Sequence, residues 1–241
     1  MRRLSRAFGF EIGRLYPADF DAGDLATIAR VAPYTMTSPA AIQALRTAVK
    51  YVVANRIEGA FVECGVWRGG SMMAIAHTLL ELGTTDHELF LFDTFEGMTS
   101  PTERDVWQPT GERASDLLAR RSHGSHIRAV AQLAGVRSVM RSVGYDDARI
   151  HLVEGRVEDT LPARAPERIS LLRLDTDWYD STKHELVHLF PRLSRGGVLI
   201  VDDYGVWRGA RQAVDEYLRE NQVPLLLNRV DPNGVRIAVK I

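Results

Sequence analysis

The stretch Phe61-Val-Glu-Cys-Gly-Val-Trp-Arg-Gly-Gly-Ser71 constrains this chain more than any other. Residues 59–62 are short, apolar and entered from a loop, which predicts a strand. Met72, Ile75, Ala76, Leu79 and Leu80 recur at helical spacing, which predicts a helix. Gly65, Gly69 and Gly70 lie between the two. A glycine-rich turn there lets the backbone approach a ligand and points helix N–H groups at negative charge. Glu63, near the strand's end, is expected to face the same crevice. The spacing acid-x-Gly-x-x-x-Gly-x-Ser departs from the dinucleotide pattern G-x-G-x-x-G, which wants a glycine where Trp67 stands.

The remaining chain alternates helical and strand patterns. Helices are expected from Asp24 to about Val31, and from Pro39 to about Asn55 with Ser38 as N-cap. The helix after the glycine turn should run to Leu82 and stop at Gly83. Strands are expected at 88–93, 149–153, 169–175 and 196–203, with helices at 181–193, capped by Asp180 or Ser181, and 207–221. Residues 224–229 and 235–241 read as a closing hairpin around Asp231-Pro-Asn-Gly234. This order implies a Rossmann-like α/β fold: a mostly parallel seven-stranded sheet, helices on both faces, and an antiparallel C-terminal hairpin. One domain spanning 1–241 is expected, with an N-terminal arm and helix at 1–32 and a substrate-facing insertion at 94–145. Within it, 94–113 reads as a lid. The helical region 114–142, expected to break near Gly124 or Gly135, carries Arg120, Arg121, Arg128, Arg137 and Arg141, read mainly as a solvated face.

Composition narrows the class. Lys and Arg total 30 against 31 Asp and Glu, so nucleic acid is not the expected partner. The single cysteine, Cys64, permits no intrachain disulfide and suits a cytoplasmic protein. No apolar run reaches membrane-spanning length, and none follows Arg2, Arg3 and Arg6 as a secretion signal would. Phe8, Phe10, Tyr16 and Phe20 suggest an arm that packs on the domain or on a second copy, hence an expected homodimer.

Acids end four strands: Glu63, Asp93, Asp175 with Asp177, and Asp202 with Asp203. Asp93 at the end of the second strand fits a ribose-containing cofactor. Asp175, Asp202 and Asp203 would repel one another unless a cation sat among them, and three hard oxygens suit Mg²⁺. No basic residue beside them obviously neutralises three charges; Lys183 and Arg208 are the weak counter-candidates. Asp177 and Asp180 can also form a turn before the helix, the preferred reading for Asp180.

The acid-first glycine loop resembles motif I of S-adenosylmethionine (SAM) methyltransferases. Five ordered segments extend the likeness: V-E-C-G-V-W-R-G-G-S, L-F-D-T-F-E-G-M, E-G-R-V-E-D-T-L-P, L-R-L-D-T-D-W-Y-D-S-T and G-G-V-L-I-V-D-D-Y-G. Over about residues 33–228 they resemble the macrocin O-methyltransferase (TylF-type) family of SAM- and Mg²⁺-dependent enzymes, which methylate hydroxyls, mostly of sugars on antibiotics and mycobacterial glycans. The resemblance implies Mg²⁺ at Asp175, Asp202 and Asp203, and Asp177 as general base. It implies SAM at Glu63, Gly65, Trp67, Gly69 and Ser71 of the glycine turn, and at Asp93 at the end of the second strand. Gly69 is expected to face the methionine moiety. Thr35 and Met36 look like the segment over the amino-acid end, and Gly155 and Arg156 lie where adenine is expected. His184 and His126 are alternative bases. The acceptor is expected to be a sugar or glycoside; a catechol-like diol, or a NAD-dependent oxidation on the same fold, are the alternatives.

Overall fold

The computed structural model describes residues 16–120 and 129–241. Among them one seven-stranded sheet contains β1 (Ala60–Cys64), β2 (Leu89–Asp93), β3 (Ile150–Glu154), β4 (Ile169–Leu174), β5 (Leu193–Val201), β6 (Asn228–Arg229) and β7 (Arg236–Val239). Their order is β3-β2-β1-β4-β5-β7-β6. β1 to β5 are mutually parallel, whereas β7 runs antiparallel to β5 and β6. The order turns back between β1 and β4, which opens a crevice at the strands' carboxyl ends.

The helices are α1 (Ala22–Val31), α2 (Pro39–Ala54), α3 (Gly70–Glu81), α4 (Ala114–Ala119), α5 (Leu133–Ser142), α6 (Val157–Thr160), α7 (Tyr179–Leu189) and α8 (Arg208–Glu220). Alternate strand residues enter two cores. Phe61, Leu171, Val198 and Ile200 join α1, α2, α3 and α5 on one face. Val62, Leu172, Leu199 and Val201 join α6, α7 and α8 on the other. Both faces are covered, so the strands read as nearly continuous apolar runs.

The period of two also places polar residues. Glu63 follows Phe61, Arg173 and Asp175 follow Leu171, and Asp202 follows Ile200, all on the first face. β1 pairs with β4 so that Glu63 lies opposite Arg173.

Several boundaries differ from expectation for physical reasons. Ser38 does cap α2, accepting from Ala41 N at 3.2 Å. α7 begins at Tyr179, after Trp178, rather than at Ser181 behind a local side-chain cap. Its Tyr179 N–H donates instead to Asp105 Oδ1, from the lid, at 2.8 Å. Asp180 is therefore a first-turn helix residue, not the cap. Gly135 sits inside α5 and breaks nothing; Gly124 lies outside the described residues. β6 pairs over only two residues, far less than 224–229, because Pro224 lacks a donor and the strand is an edge. Tyr16 and Phe20 stack at 6.0 Å and pack against the first core; Phe8 and Phe10 lie outside the described residues.

Candidate active site

A cavity of about 480 Å³ opens at the carboxyl ends of the parallel strands. Of the residues expected at a site, Thr35, Met36, Glu63, Gly65, Trp67 and Ser71 line it, as do Asp93, Gly155, Arg156, Asp175, Asp177, Asp202 and Asp203. Gly69 does not. Its φ is +89°, and a Cβ there would point at Val136 and Met140 of α5. It is the left-handed N-cap of α3, and the position its Cβ would take faces α5. Gly65 is needed for close packing of backbone on backbone: a Cβ there would stand 1.9 Å from Asp175 O.

Asp93 holds the glycine turn in place. Its Oδ2 accepts from Val66 N at 2.7 Å and Trp67 N at 2.9 Å, and its Oδ1 accepts from Phe95 N at 2.7 Å. Burial pushes its pKa up against those hydrogen bonds. Its carboxylate keeps acceptor capacity toward the cavity.

Glu63 is 1% exposed. Oε1 accepts from Arg173 at 2.5 Å, while Oε2 is buried without a hydrogen-bond partner among the described residues. Burial pushes its pKa up to about 7, with Arg173 opposing. Arg173 is the residue that reasoning from strand-end acids missed. Its buried guanidinium also donates to Asp175 Oδ2, Asp202 Oδ1 and Thr37 Oγ1. The expectation that no base stands beside these acids is thereby corrected. The signal was present: an arginine inside an apolar, doubly covered strand must be paired. The named counter-candidates do other things, since Lys183 pairs with Glu220 and Arg208 donates to Gln108.

Asp175, Asp202 and Asp203 bring one oxygen each within 4.8 Å of one another. Burial raises the pKa of Asp175 and of Asp203; the charge of Asp177 adds to the rise at Asp203. One guanidinium against four clustered carboxylates leaves net negative charge for a cation to offset.

Asp177 stands beside them at φ +67°, a left-handed conformation that aspartate tolerates better than most residues. Its N–H donates to Asp203 Oδ2 at 2.9 Å, and its Oδ1 accepts from Trp207 Nε1 at 2.7 Å. Burial, then the charge of Asp175, pushes its pKa up to about 8.

Gly97, Met98, Thr99 and Trp107 of the segment read as a lid line the cavity. Asp105, fully buried, binds Thr102 N and Oγ1 as well as Tyr179 N. Trp178 Nε1 donates to Thr99 O. Met98, Trp107, Val206 and Trp207 form an apolar wall of the cavity near the acids. The described arginines of 114–142 do not line the cavity: Arg120 pairs with Glu112 and Arg141 with Asp147. Arg121, Arg128 and His126 lie outside the described residues. His184 packs on His188 away from the cavity.

Comparison with known proteins places the chain in a family. A family model described as macrocin-O-methyltransferase (TylF) matches residues 20–237. Demethyldecarbamoylnovobiocin O-methyltransferase of Streptomyces niveus is 32% identical over 202 residues, covering 84% of this chain and 74% of that protein. The 8-demethyl-8-(2,3-dimethoxy-alpha-L-rhamnosyl)-tetracenomycin-C 4'-O-methyltransferase of Streptomyces olivaceus is 33% identical over the same shares. The solved O-methyltransferase NovP superposes with a TM-score of 0.73 at 28% identity, over 86% of this chain and 82% of that one. The family model spans most of the chain and the fold is shared with NovP, so the chain belongs to the macrocin-O-methyltransferase (TylF) family.

Proposed function

We propose that this chain is a SAM- and Mg²⁺-dependent O-methyltransferase that modifies a sugar hydroxyl of a glycosylated small molecule. The observation that carries the reading is one cavity holding both a glycine turn with Glu63 and a cluster of Asp175, Asp202 and Asp203 beside Asp177. The sugar is supported by the rhamnosyl acceptor in the name of the Streptomyces olivaceus relative. A catechol-like diol is the alternative acceptor, which neither of the two curated relatives described above names; the methyltransferase family gives hydride chemistry no support.

The residues fit both groups. Glu63 Oε2, buried and without a partner, suits the cofactor's ammonium, with Ser71 and the α3 N-terminus beside it. Asp93, Gly155 and Arg156 would serve the nucleoside, and Thr35 and Met36 the amino-acid end. Bound SAM supplies an electrophilic methyl group on sulfur. Three carboxylates suit a hard divalent cation, which when bound supplies Lewis acidity to the acceptor hydroxyl. Arg173 holds Asp175 and Asp202 in place. Asp177 takes the acceptor's proton, with its carboxylate oriented by the Trp207 indole bonded to Oδ1. The lid's apolar wall excludes water.

A panel of glycoside acceptors with methyl-labelled SAM tests this. A labelled ether on the acceptor, lost with EDTA and restored by Mg²⁺, is expected. Asp177→Asn should lower kcat about 10²- to 10⁴-fold while S-adenosylhomocysteine still binds. Full turnover in EDTA would remove the metal from the proposal. We also infer a homodimer through the N-terminal arm and the edge of the lid, motivated by Phe8, Phe10, Tyr16 and Phe20. A chain lacking residues 1–20 should sediment as a monomer.

A further inference from the structure

We propose that Trp207 is the positioning residue of Asp177, and that the lid reaches the carboxylate through it. This rests on Asp177 as the proton acceptor. Asp177 sits on a loop beyond β4 in a left-handed conformation, so neither helix nor ladder fixes its side chain. Indole Nε1 can only donate, so the 2.7 Å bond orients the carboxylate through Oδ1.

The indole is itself held from several sides. It is 2% exposed. Trp178 meets it edge-on at 5.0 Å and Trp107 at 5.2 Å. Its backbone N–H donates to Asp203 O at 3.0 Å. Lid and α8 start are laced by Gln108 N to Val206 O at 2.8 Å and Arg208 N to Val106 O at 2.9 Å. A displaced lid would therefore drag the donor away from Asp177. The arrangement matches a catalytic group held by packed, hydrogen-bonded neighbours.

The competing explanation is that a buried indole merely needs an acceptor. A double-mutant cycle separates the two. Trp207→Phe keeps the ring and removes the donor. We expect kcat to fall about 10- to 100-fold, with the acceptor KM and S-adenosylhomocysteine affinity within about twofold of parent. In an Asp177→Asn background the same change should alter the rate less than about twofold, because it acts through the missing carboxylate. Equal losses in both backgrounds, or no loss in the parent, would overturn the proposal and leave Asp177 as base untouched. Parent-like turnover by Asp177→Asn would overturn both readings. Indole ¹⁵N NMR of the full chain covers the case in which Trp207→Phe does not fold. Asp177→Asn should shift the Trp207 Nε1–H signal and leave that of Trp178, bonded to Thr99 O, in place. An unmoved Trp207 signal would refute the contact.

Discussion

Arg173 carries opposite obligations at one atom group. Its guanidinium is shared among Glu63, Asp175 and Asp202, and its side chain is 2% exposed. Removing it strands three acids in a poorly solvated place. Arg173→Met should therefore cost about 3–5 kcal/mol of stability, the range for breaking a buried ion pair. Adding Glu63→Gln should return part of that loss, read by urea unfolding. The two glycines of the turn make a sharper contrast. Gly65→Ala meets Asp175 O at a φ of +83° and should destabilise by more than about 2 kcal/mol. Gly69→Ala has room against α5 and meets only the left-handed penalty of about 1 kcal/mol. Its affinity for S-adenosylhomocysteine, by calorimetry, should stay near parent. A strong loss there would support the reading that Gly69 faces the cofactor.

At the scale of elements, the lid is an anchored structure rather than a free loop. Asp105 joins Thr102 in the lid to Tyr179 at the start of α7, and a Cβ on Gly209 of α8 would stand 2.1 Å from its Oδ1. One acid thus ties the lid to α7 and packs closely against the start of α8. Asp105→Ala leaves the Tyr179 N–H without that acceptor and should lower unfolding free energy by about 1–3 kcal/mol. It should also speed proteolytic cleavage between residues 94 and 113. Unchanged cleavage would show that the tryptophan contacts alone hold the lid. The anchor of this segment was not readable from its place after β2. Asp105 sits among turn formers, and its partner lies 74 residues away.

For the molecule as a whole, ligand binding and folding are linked. S-adenosylhomocysteine at 100 times its Kd should raise unfolding stability by about 2.7 kcal/mol, measured by urea titration with and without it. Among the described residues no helix is long and apolar enough to cross a membrane. Local patterns gave the order and type of the strands and longer helices, but not the one-turn helix α6. Apolar runs bounded by glycine or acid made the strands, 3.6-residue periodicity made the helices, and alternation of the two implied the parallel sheet. They also brought Asp175, Asp202 and Asp203 to one rim, because parallel strands end on the same side. Periodicity carries no register between strands and no partner across long separations. Only the pairing of β1 on β4 set Arg173 opposite Glu63, 110 residues apart. Only the packing of α5 on the glycine turn took Gly69 away from the cavity. Only the docking of the lid on α8 aimed Trp207 at Asp177. Sequence by itself determined which chemistry stands at the strand ends, since that follows from local order; tertiary structure decided how each charge is paired and held, since that depends on groups distant in the chain meeting where water is excluded.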